Sequence, residues 1–430
     1  MNLPRPRFLL VAALLSATPL LAGVAHAADG APAPAAAPAP AFDPADPRYG
    51  RPCGCEPVPE ACACPSVCIR DPLVRIPCFD DGVDSFQKWK ADSMIKIGAG
   101  AYHWWNVQSD GGDVTYGYPN GGEGTYFYYF TGDVDLSKCA SACGPKFGGH
   151  VELRARDETV FRSFFDEKVW FYELYAWVDT PAAGKFKIGK MWKRFGLDWD
   201  GSFWGNVQYY DGMKLDPDWG VSWEKTFKPS PRLSIPVFAQ LFLEEDGVNG
   251  SIAGADAEST GFLEEQTTGV LRVVPTWSFN TNTSLAVGVS GLVGSIEAQS
   301  GSPVASETLA QVALDATFQW CGLKVYGEYA YSDGVQNPSH YVTGGPSDTY
   351  KDYLVGVEYK LGPFTPRVTY SHGDYENPGG SQDLWLVGLT VQLTNWLTAY
   401  LEYVKWDVDS PVNPDVQYED GFQIVLNWHF

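Results

Sequence analysis

Long hydrophobic stretches are missing from most of this sequence. After residue 27 there is no apolar run of about 18 residues, which excludes a further transmembrane helix. Positive charge is also scarce, because 30 Lys and Arg stand against 52 Asp and Glu, and this acid excess disfavours nucleic acid as a partner. Hydrolase motifs such as G-x-S-x-G and H-E-x-x-H do not occur, and the six histidines are scattered. The sequence therefore predicts no enzyme, no cofactor and no resident metal.

The N-terminus has the features of a secretory signal peptide. Arg5 and Arg7 form a short basic region, an apolar run extends from Phe8 to Ala22, and a small-residue cleavage site ends at Ala27. Residues 1–27 are therefore expected to be removed on export. Residues 28–49 follow as an Ala/Pro-rich extended linker that cannot bury a core.

Nine cysteines in an exported chain predict disulfides rather than free thiols. Most of them lie in a Cys-rich segment, residues 50–93, which is expected to be periplasmic. Two C-x-C pairs could bind zinc instead, although the usual spacing is C-x2–4-C. Cys321 is left as the odd thiol. The disulfide candidates, whose pairing the spacing does not choose, are Cys53, Cys55, Cys62, Cys64, Cys68, Cys78, Cys139 and Cys143.

From Met94 onward, aromatic-rich runs of alternating apolar and polar residues dominate the sequence. We count sixteen such runs, with the eighth at 267–279, and the connections between them are short and long in almost strict alternation. Aromatic residues make up 14% of the chain, and Trp and Tyr concentrate at membrane–water interfaces. This pattern predicts an all-β fold over residues 94–430: a 16-stranded antiparallel transmembrane β-barrel with short periplasmic turns and long external loops.

The faces of the predicted strands can be assigned from the alternation. In the run before Cys321, Leu314 and Phe318 should face lipid, while Gln311 and Asp315 should face the lumen. The last run, 422–430, ends in aromatic residues on one face. Trp428 and Phe430 resemble the C-terminal signal that barrels of the outer membrane present to the barrel-assembly machinery. The expected location is the outer membrane of a Gram-negative-type bacterium, in contact with its lipid.

Nine basic residues are predicted to line the pore on inward-facing strand positions. Charged rings facing a constriction set ion selectivity, although such residues can also be merely solvated. Lys190 falls on the lipid-facing side, which predicts an irregularity in the fifth strand. The nine are His150, Arg154, Arg156, Lys185, Lys187, Lys193, Arg272, Lys324 and Arg367.

The run Phe171–Gly205 resembles a strand–turn–strand unit of the phosphate- and polyphosphate-selective porin family (porin O/P). An aromatic strand is followed by a short turn and then by a Gly-Lys-rich strand that leads to Phe195-Gly196. The similarity extends loosely over 94–430. It implies a homo-trimeric channel that is general or anion-preferring, whereas the acid-rich loop after the fifth strand departs from the family pattern.

In sixteen-stranded porins the loop after the fifth strand folds into the barrel and narrows it, and residues 197–217 occupy that position. An ordinary surface loop is the alternative, and a calcium site at its first two acids would match no EF-hand spacing. The predicted constriction residues are Asp198, Asp200, Asp211, Asp216, Trp204 and Tyr209.

The sequence therefore predicts a porin for passive diffusion of ions and small hydrophilic solutes, with an anion or phosphate preference implied by the resemblance. The alternative is a barrel that serves as a sleeve or envelope-anchoring scaffold for a periplasmic or electron-carrying partner.

Overall fold

The structure is a computed structural model. It describes residues 72–74, 76, 79–109, 125–136, 144–156, 169–197, 201–203, 205–207, 217–244, 263–298, 307–336, 347–376, 379–409 and 421–430. The predicted signal peptide, the linker and the eight disulfide candidates lie outside these residues. None of the helices within the described ranges is long and apolar enough to cross a membrane.

One α-helix precedes a long series of strands in the described residues. The helix is α1 (Phe79–Asp92). The strands are β1 (Ile95–Ser109), β2 (Thr125–Asp135), β3 (Lys146–Arg156), β4 (Val169–Thr180), β5 (Gly184–Trp192), β6 (Pro217–Ser230), β7 (Leu233–Glu244), β8 (Leu263–Val273), β9 (Thr276–Asn280), β10 (Thr283–Ala298), β11 (Glu307–Trp320), β12 (Leu323–Gln336), β13 (Ser347–Tyr359), β14 (Phe364–Tyr375), β15 (Ser381–Thr394), β16 (Leu397–Asp409) and β17 (Gly421–His429).

The strands form one closed antiparallel barrel. Neighbours in sequence pair with each other, and β17 pairs back with β1 from Gly100↔His429 to Ser109↔Gly421. Strands β8 and β9 both pair with β7 and with β10, so they are two pieces of a single barrel strand. The 17-stranded sheet is therefore a 16-stranded barrel, which confirms the predicted fold class.

The eighth barrel strand differs from its prediction because it is interrupted. The single run expected at 267–279 begins earlier, at Leu263, and breaks at Val274 and Pro275. Proline has no backbone N–H to give to a ladder. The break is still bridged, because the Val274 N–H donates to Pro236 (2.9 Å) and the Pro275 carbonyl accepts from Val287 (3.0 Å).

The two ends of the barrel differ in their connections. At one end, called here the turn end, hairpins such as 281–282 and 321–322 join the strands. At the other end, called the loop end, long connections such as 193–216 and 245–262 join them. This alternation agrees with the predicted pattern of short turns and long loops.

The outer face is apolar and the inner face is polar. On β11, Leu314 is 55% exposed and Phe318 is 37% exposed, whereas Gln311 and Asp315 are buried at 1% and 3%. On β13, Val355 is likewise exposed on the outer side. On these strands the exposed and the buried side chains alternate, as period-two patterning requires.

Helix α1 is fastened to the turn end of the barrel. The Trp396 indole N–H donates to the Asp80 carboxylate (2.8 Å), and the ring of Phe79 lies 4.7 Å from that of Trp396. Phe430 completes this aromatic cluster, with its ring 6.3 Å from both Trp396 and Phe79 and nearly parallel to Trp396 at an interplanar angle of 8°. The Leu73 N–H adds a backbone bond to Gln392 (3.1 Å). The C-terminus of the chain therefore lies beside α1.

The prediction that Cys321 is an odd thiol is wrong. Cys321 is disulfide-bonded, and its partner lies outside the described residues. It occupies the turn 321–322 between β11 and β12, with φ of 54°. A disulfide therefore joins the β11–β12 hairpin, at the turn end of the barrel, to a second cysteine.

Candidate functional site in the barrel lumen

The connection between β5 and β6 enters the barrel instead of covering its rim. The backbone N–H of Gly196 donates to Ser290 on β10 (3.0 Å). Further along, the N–H of Phe203 donates to Glu402 on β16 (2.8 Å), and the N–H of Val207 to Ser371 on β14 (3.1 Å). Strand β14 lies across the barrel from β5 in the strand order. The described part of the connection, called here the lumen loop (193–197, 201–203 and 205–207), therefore spans the lumen.

Apolar packing holds the lumen loop against the far wall. Phe195 is buried among inward side chains that include Phe242 and Tyr350. Val207 is fully buried against Leu386 and Trp406. Moving the loop away from the wall formed by β7 to β16 would break these contacts and leave voids, which are costly in a close-packed interior. The packing therefore holds the loop in place.

The inner wall is consequently closed on one side and open on the other. Behind the lumen loop, Ser371, Gln382 and Asp352 are each at most 1% exposed. On β3 and β4, by contrast, the side chains of Glu152, Arg154 and Glu173 keep 16%, 25% and 18% exposure. We call the partly exposed inner positions from β2 to Glu224 on β6 the open wall, since water and solutes can reach them, whereas Asp218 and Ser222 of β6 are buried and do not belong to it.

The basic residues on the closed side are tied to strand carboxylates. Arg272 makes a bidentate contact with Asp315 at 2.6 and 3.1 Å, and Lys193 lies 2.8 Å from Asp218. Arg367 is buried, 3.5 Å from Glu358. Buried charges need such partners, because desolvation would otherwise be too costly.

The open wall also carries balanced charge. Arg154 contacts Glu152 (2.7 Å), and Lys187 on β5 contacts Glu224 on β6 (2.5 Å). His150 lies 2.7 Å from Asp133. Acidic side chains therefore accompany the basic ones along this surface.

The predicted pore residues are thus found at inward positions but with partners that sequence reasoning missed. Lys324 lies 3.3 Å from Glu358 near the turn end, and Lys185 lies 4.5 Å from the centre of the Trp177 ring. The side chain of Arg156 and all six predicted constriction residues lie outside the described residues. These acidic partners stand one or two strands away from those that carry the basic residues, and the sequence predicted the lumen-facing side of Asp315 but not its pairing. They are Asp133, Glu173, Asp218, Glu224, Asp315 and Glu358.

The expected irregularity of β5 occurs at Gly189. Its φ is 136°, and the next two residues, Lys190 and Met191, are both buried at 1% and 2%, so the alternation is interrupted there. A Cβ at this position would lie 2.1 Å from the Leu174 carbonyl oxygen, which only glycine avoids. This change of face directs the end of β5 towards the lumen loop.

Comparisons with known proteins agree with this geometry at the level of the fold. No family model matches the sequence, and no curated protein matches it. Among solved structures, the chain is similar to the outer-membrane channel DcaP of Acinetobacter baumannii, at 12% identity and a TM-score of 0.55 over 78% of this chain and 97% of that one. OmpF of Salmonella typhi gives 11% identity and a TM-score of 0.56 over 78% and 97%. The anion-selective porin of Comamonas acidovorans gives 10% identity and a TM-score of 0.51 over 78% and 99%. The barrel therefore has the fold of the outer-membrane porins.

Proposed function

We propose that this protein is an outer-membrane porin, a water-filled channel through which ions and small hydrophilic solutes diffuse passively. The observation that carries the proposal is the lumen loop, which crosses a closed barrel and leaves one partly exposed, charged wall. A loop held in this way narrows the lumen without filling it. The solute path then runs between the loop and the open wall.

The outer surface supports a location in lipid. Leu243, Ile188 and Val387 are exposed by 50% or more, and aromatic residues such as Trp320 and Trp385 flank them towards the two ends. Strands of nine to sixteen residues are long enough to cross a bilayer when tilted. The proposal includes export by the signal peptide, insertion by the barrel-assembly machinery through Trp428 and Phe430, and an outer-membrane location.

A hollow on the outer face supports assembly with further copies. Its lining includes the small residues Gly149 and Ala176 on neighbouring strands, together with the exposed side chains of Ile188 and Trp219. Close-fitting apolar surfaces of this kind suit packing against another protein in a membrane. The homo-trimer implied by the porin O/P resemblance is therefore part of the proposal, and chemical crosslinking in mild detergent tests it.

The finer proposal, an anion or phosphate preference, rests only on the porin O/P resemblance. On the described part of the open wall, basic side chains are paired with acidic ones, and this gives no support to an anion preference. Reversal potentials in a gradient of potassium chloride test it directly, and a value near zero would leave a general channel with weak selectivity.

The sleeve or scaffold function remains the competing proposal. A sleeve needs an unobstructed lumen for its partner, whereas the lumen loop crosses this one. The purified protein in planar bilayers should give discrete conductance steps, and liposomes that contain it should admit small sugars. Protein that is folded, as shown by heat-modifiable migration on gels, but gives no steps would contradict the channel.

A further inference from the structure

Three side chains on the open wall converge in a way that ion pairing alone does not explain. His150 and Glu152 stand two residues apart on the inner face of β3, and Glu173 lies directly opposite Glu152 on β4. One ligand atom from each of the three lies within 4.8 Å of the other two. We call these residues the His150 cluster.

The imidazole of His150 is held in one orientation. Its Nδ1 lies 2.7 Å from the Asp133 carboxylate on β2, which directs Nε2 towards Glu173, 3.6 Å away. Nε2 is buried and has no hydrogen-bond partner within the described residues. A histidine whose one nitrogen is bonded to a carboxylate, with the other left as an electron-pair donor, is the usual arrangement around a metal ligand.

A β-bulge brings the second carboxylate into the cluster. The β3–β4 register passes from Glu152↔Glu173 to Leu153↔Phe171, so Tyr172 is an extra residue and both Tyr172 and Glu173 turn inward. Two carboxylates directly opposite each other repel, and this arrangement destabilises a sheet. Arg154 contacts Glu152 at 2.7 Å, and Glu173 accepts from the Trp192 backbone and lies near His150. A bound dication would further offset the repulsion between the two carboxylates.

We propose that the His150 cluster binds one divalent transition-metal ion of the zinc type. The ligands are His150 Nε2 and one oxygen each from Glu152 and Glu173, and Asp133 orients the imidazole. Mixed imidazole and carboxylate ligands suit zinc and its neighbours, whereas magnesium prefers oxygen ligands alone. Because the Glu152 and Glu173 side chains are 16% and 18% exposed on the open wall, ions in the channel reach the carboxylate side of the cluster. A bound ion adds positive charge to that wall.

The alternative is that the cluster is a network of ion pairs, with a protonated His150 between Asp133 and Glu173. Zinc titration of the full-length protein separates the two. The sample is refolded in detergent, oxidised so that its cysteines are paired, stripped with a chelator, and titrated by calorimetry. We expect one site in the wild type, with magnesium failing to compete.

Variants locate that site. His150→Gln and Glu173→Gln should each abolish it or weaken the affinity at least about tenfold, and Asp133→Asn should weaken it by about 10–100-fold, the range usual for groups that orient a ligand. The matched control is His372→Gln on β14, since His372 Nδ1 is also bonded to an aspartate (Asp383, 2.9 Å) but belongs to no such cluster among the described residues. This control should bind zinc as the wild type does.

Heat-modifiable migration on gels confirms that each variant is folded. Zinc uptake that is equal in the wild type and His150→Gln would overturn the proposal, and so would a folded wild type that takes up no zinc. Because the titration needs no conductance, failure here is distinguishable from failure of the channel function. As a second readout, zinc should shift the reversal potential of the wild type and leave that of His150→Gln unchanged.

Discussion

At the scale of single residues, charge compensation is the main feature of the lumen. Lys187 and Glu224 illustrate it: they face each other across β5 and β6 at 2.5 Å, with side chains 10% and 18% exposed. Each partly exposed pair contributes little to the net charge of the path. Neutralising either partner by substitution should therefore change the ion selectivity of the channel.

Neutralising the two members of this pair should shift selectivity in opposite directions. Glu224→Gln leaves the Lys187 ammonium uncompensated beside the path and should move the reversal potential towards anions. Lys187→Gln leaves the Glu224 carboxylate and should move it towards cations. Reversal potentials measured in a tenfold salt gradient check both, and shifts of the same sign would show that the pair does not face the path.

A buried pair provides the contrast. Arg272→Gln removes the bidentate partner of Asp315 behind the lumen loop, where Asp315 is 3% exposed. The reversal potential should stay unchanged. The barrel should become less stable by about 3–5 kcal/mol, because an uncompensated charge is left buried. The temperature at which migration on gels changes measures this loss.

At the scale of elements, α1 is attached to the turn end by polar and aromatic contacts together. Asp80 is 1% exposed and accepts hydrogen bonds from the Trp396 indole and from the Ile76 backbone (2.5 Å). Phe79, Trp396 and Phe430 form a cluster in which each ring contacts the other two. The helix is therefore held mainly by the β15–β16 turn, through Trp396 and through Asn395, whose side-chain amide donates to Asp84 (2.5 Å).

Trp396→Phe should loosen α1 while leaving the barrel closed. Phenylalanine keeps much of the ring contact but loses the donor to Asp80, at a cost of about 1.5–3 kcal/mol for a hydrogen bond to a charged group. Proteolysis should then cut near α1 at lower protease concentration. Trp385→Phe, on the exposed outer face of β15, is the matched control and should leave the cleavage unchanged.

Much of the barrel could be predicted because period-two alternation needs only local sequence. At positions such as Asp315 and Leu314, the alternation of polar and apolar residues predicts directly whether the side chain faces the lumen or the lipid. The break at Pro275 was missed because flanking apolar residues continue the alternation through it. The anchors of the lumen loop, such as Ser290 and Ser371, were missed because they occupy ordinary inward positions. Their role depends on which distant backbone N–H reaches them, and one sequence does not contain that information.

At the scale of the whole molecule, the disulfide of Cys321 joins the β11–β12 turn to a cysteine outside the described residues. A peptide that contains Cys321 should therefore be found linked to a second cysteine peptide after digestion without reductant. The two should separate when the digest is reduced. Cys321 that reacts with an alkylating reagent in the folded, unreduced protein would contradict this.

If the lumen loop narrows the channel, shortening the loop should change the single-channel conductance. Residues 198–212 are replaced by a short Gly-Ser link, and a matched control shortens the connection 245–262 by the same length, since loops tolerate deletion better than strands. We expect a clearly larger conductance and weaker selectivity for the first variant, and wild-type conductance for the control. Wild-type conductance in a folded barrel that lacks residues 198–212 would show that the loop does not narrow the channel.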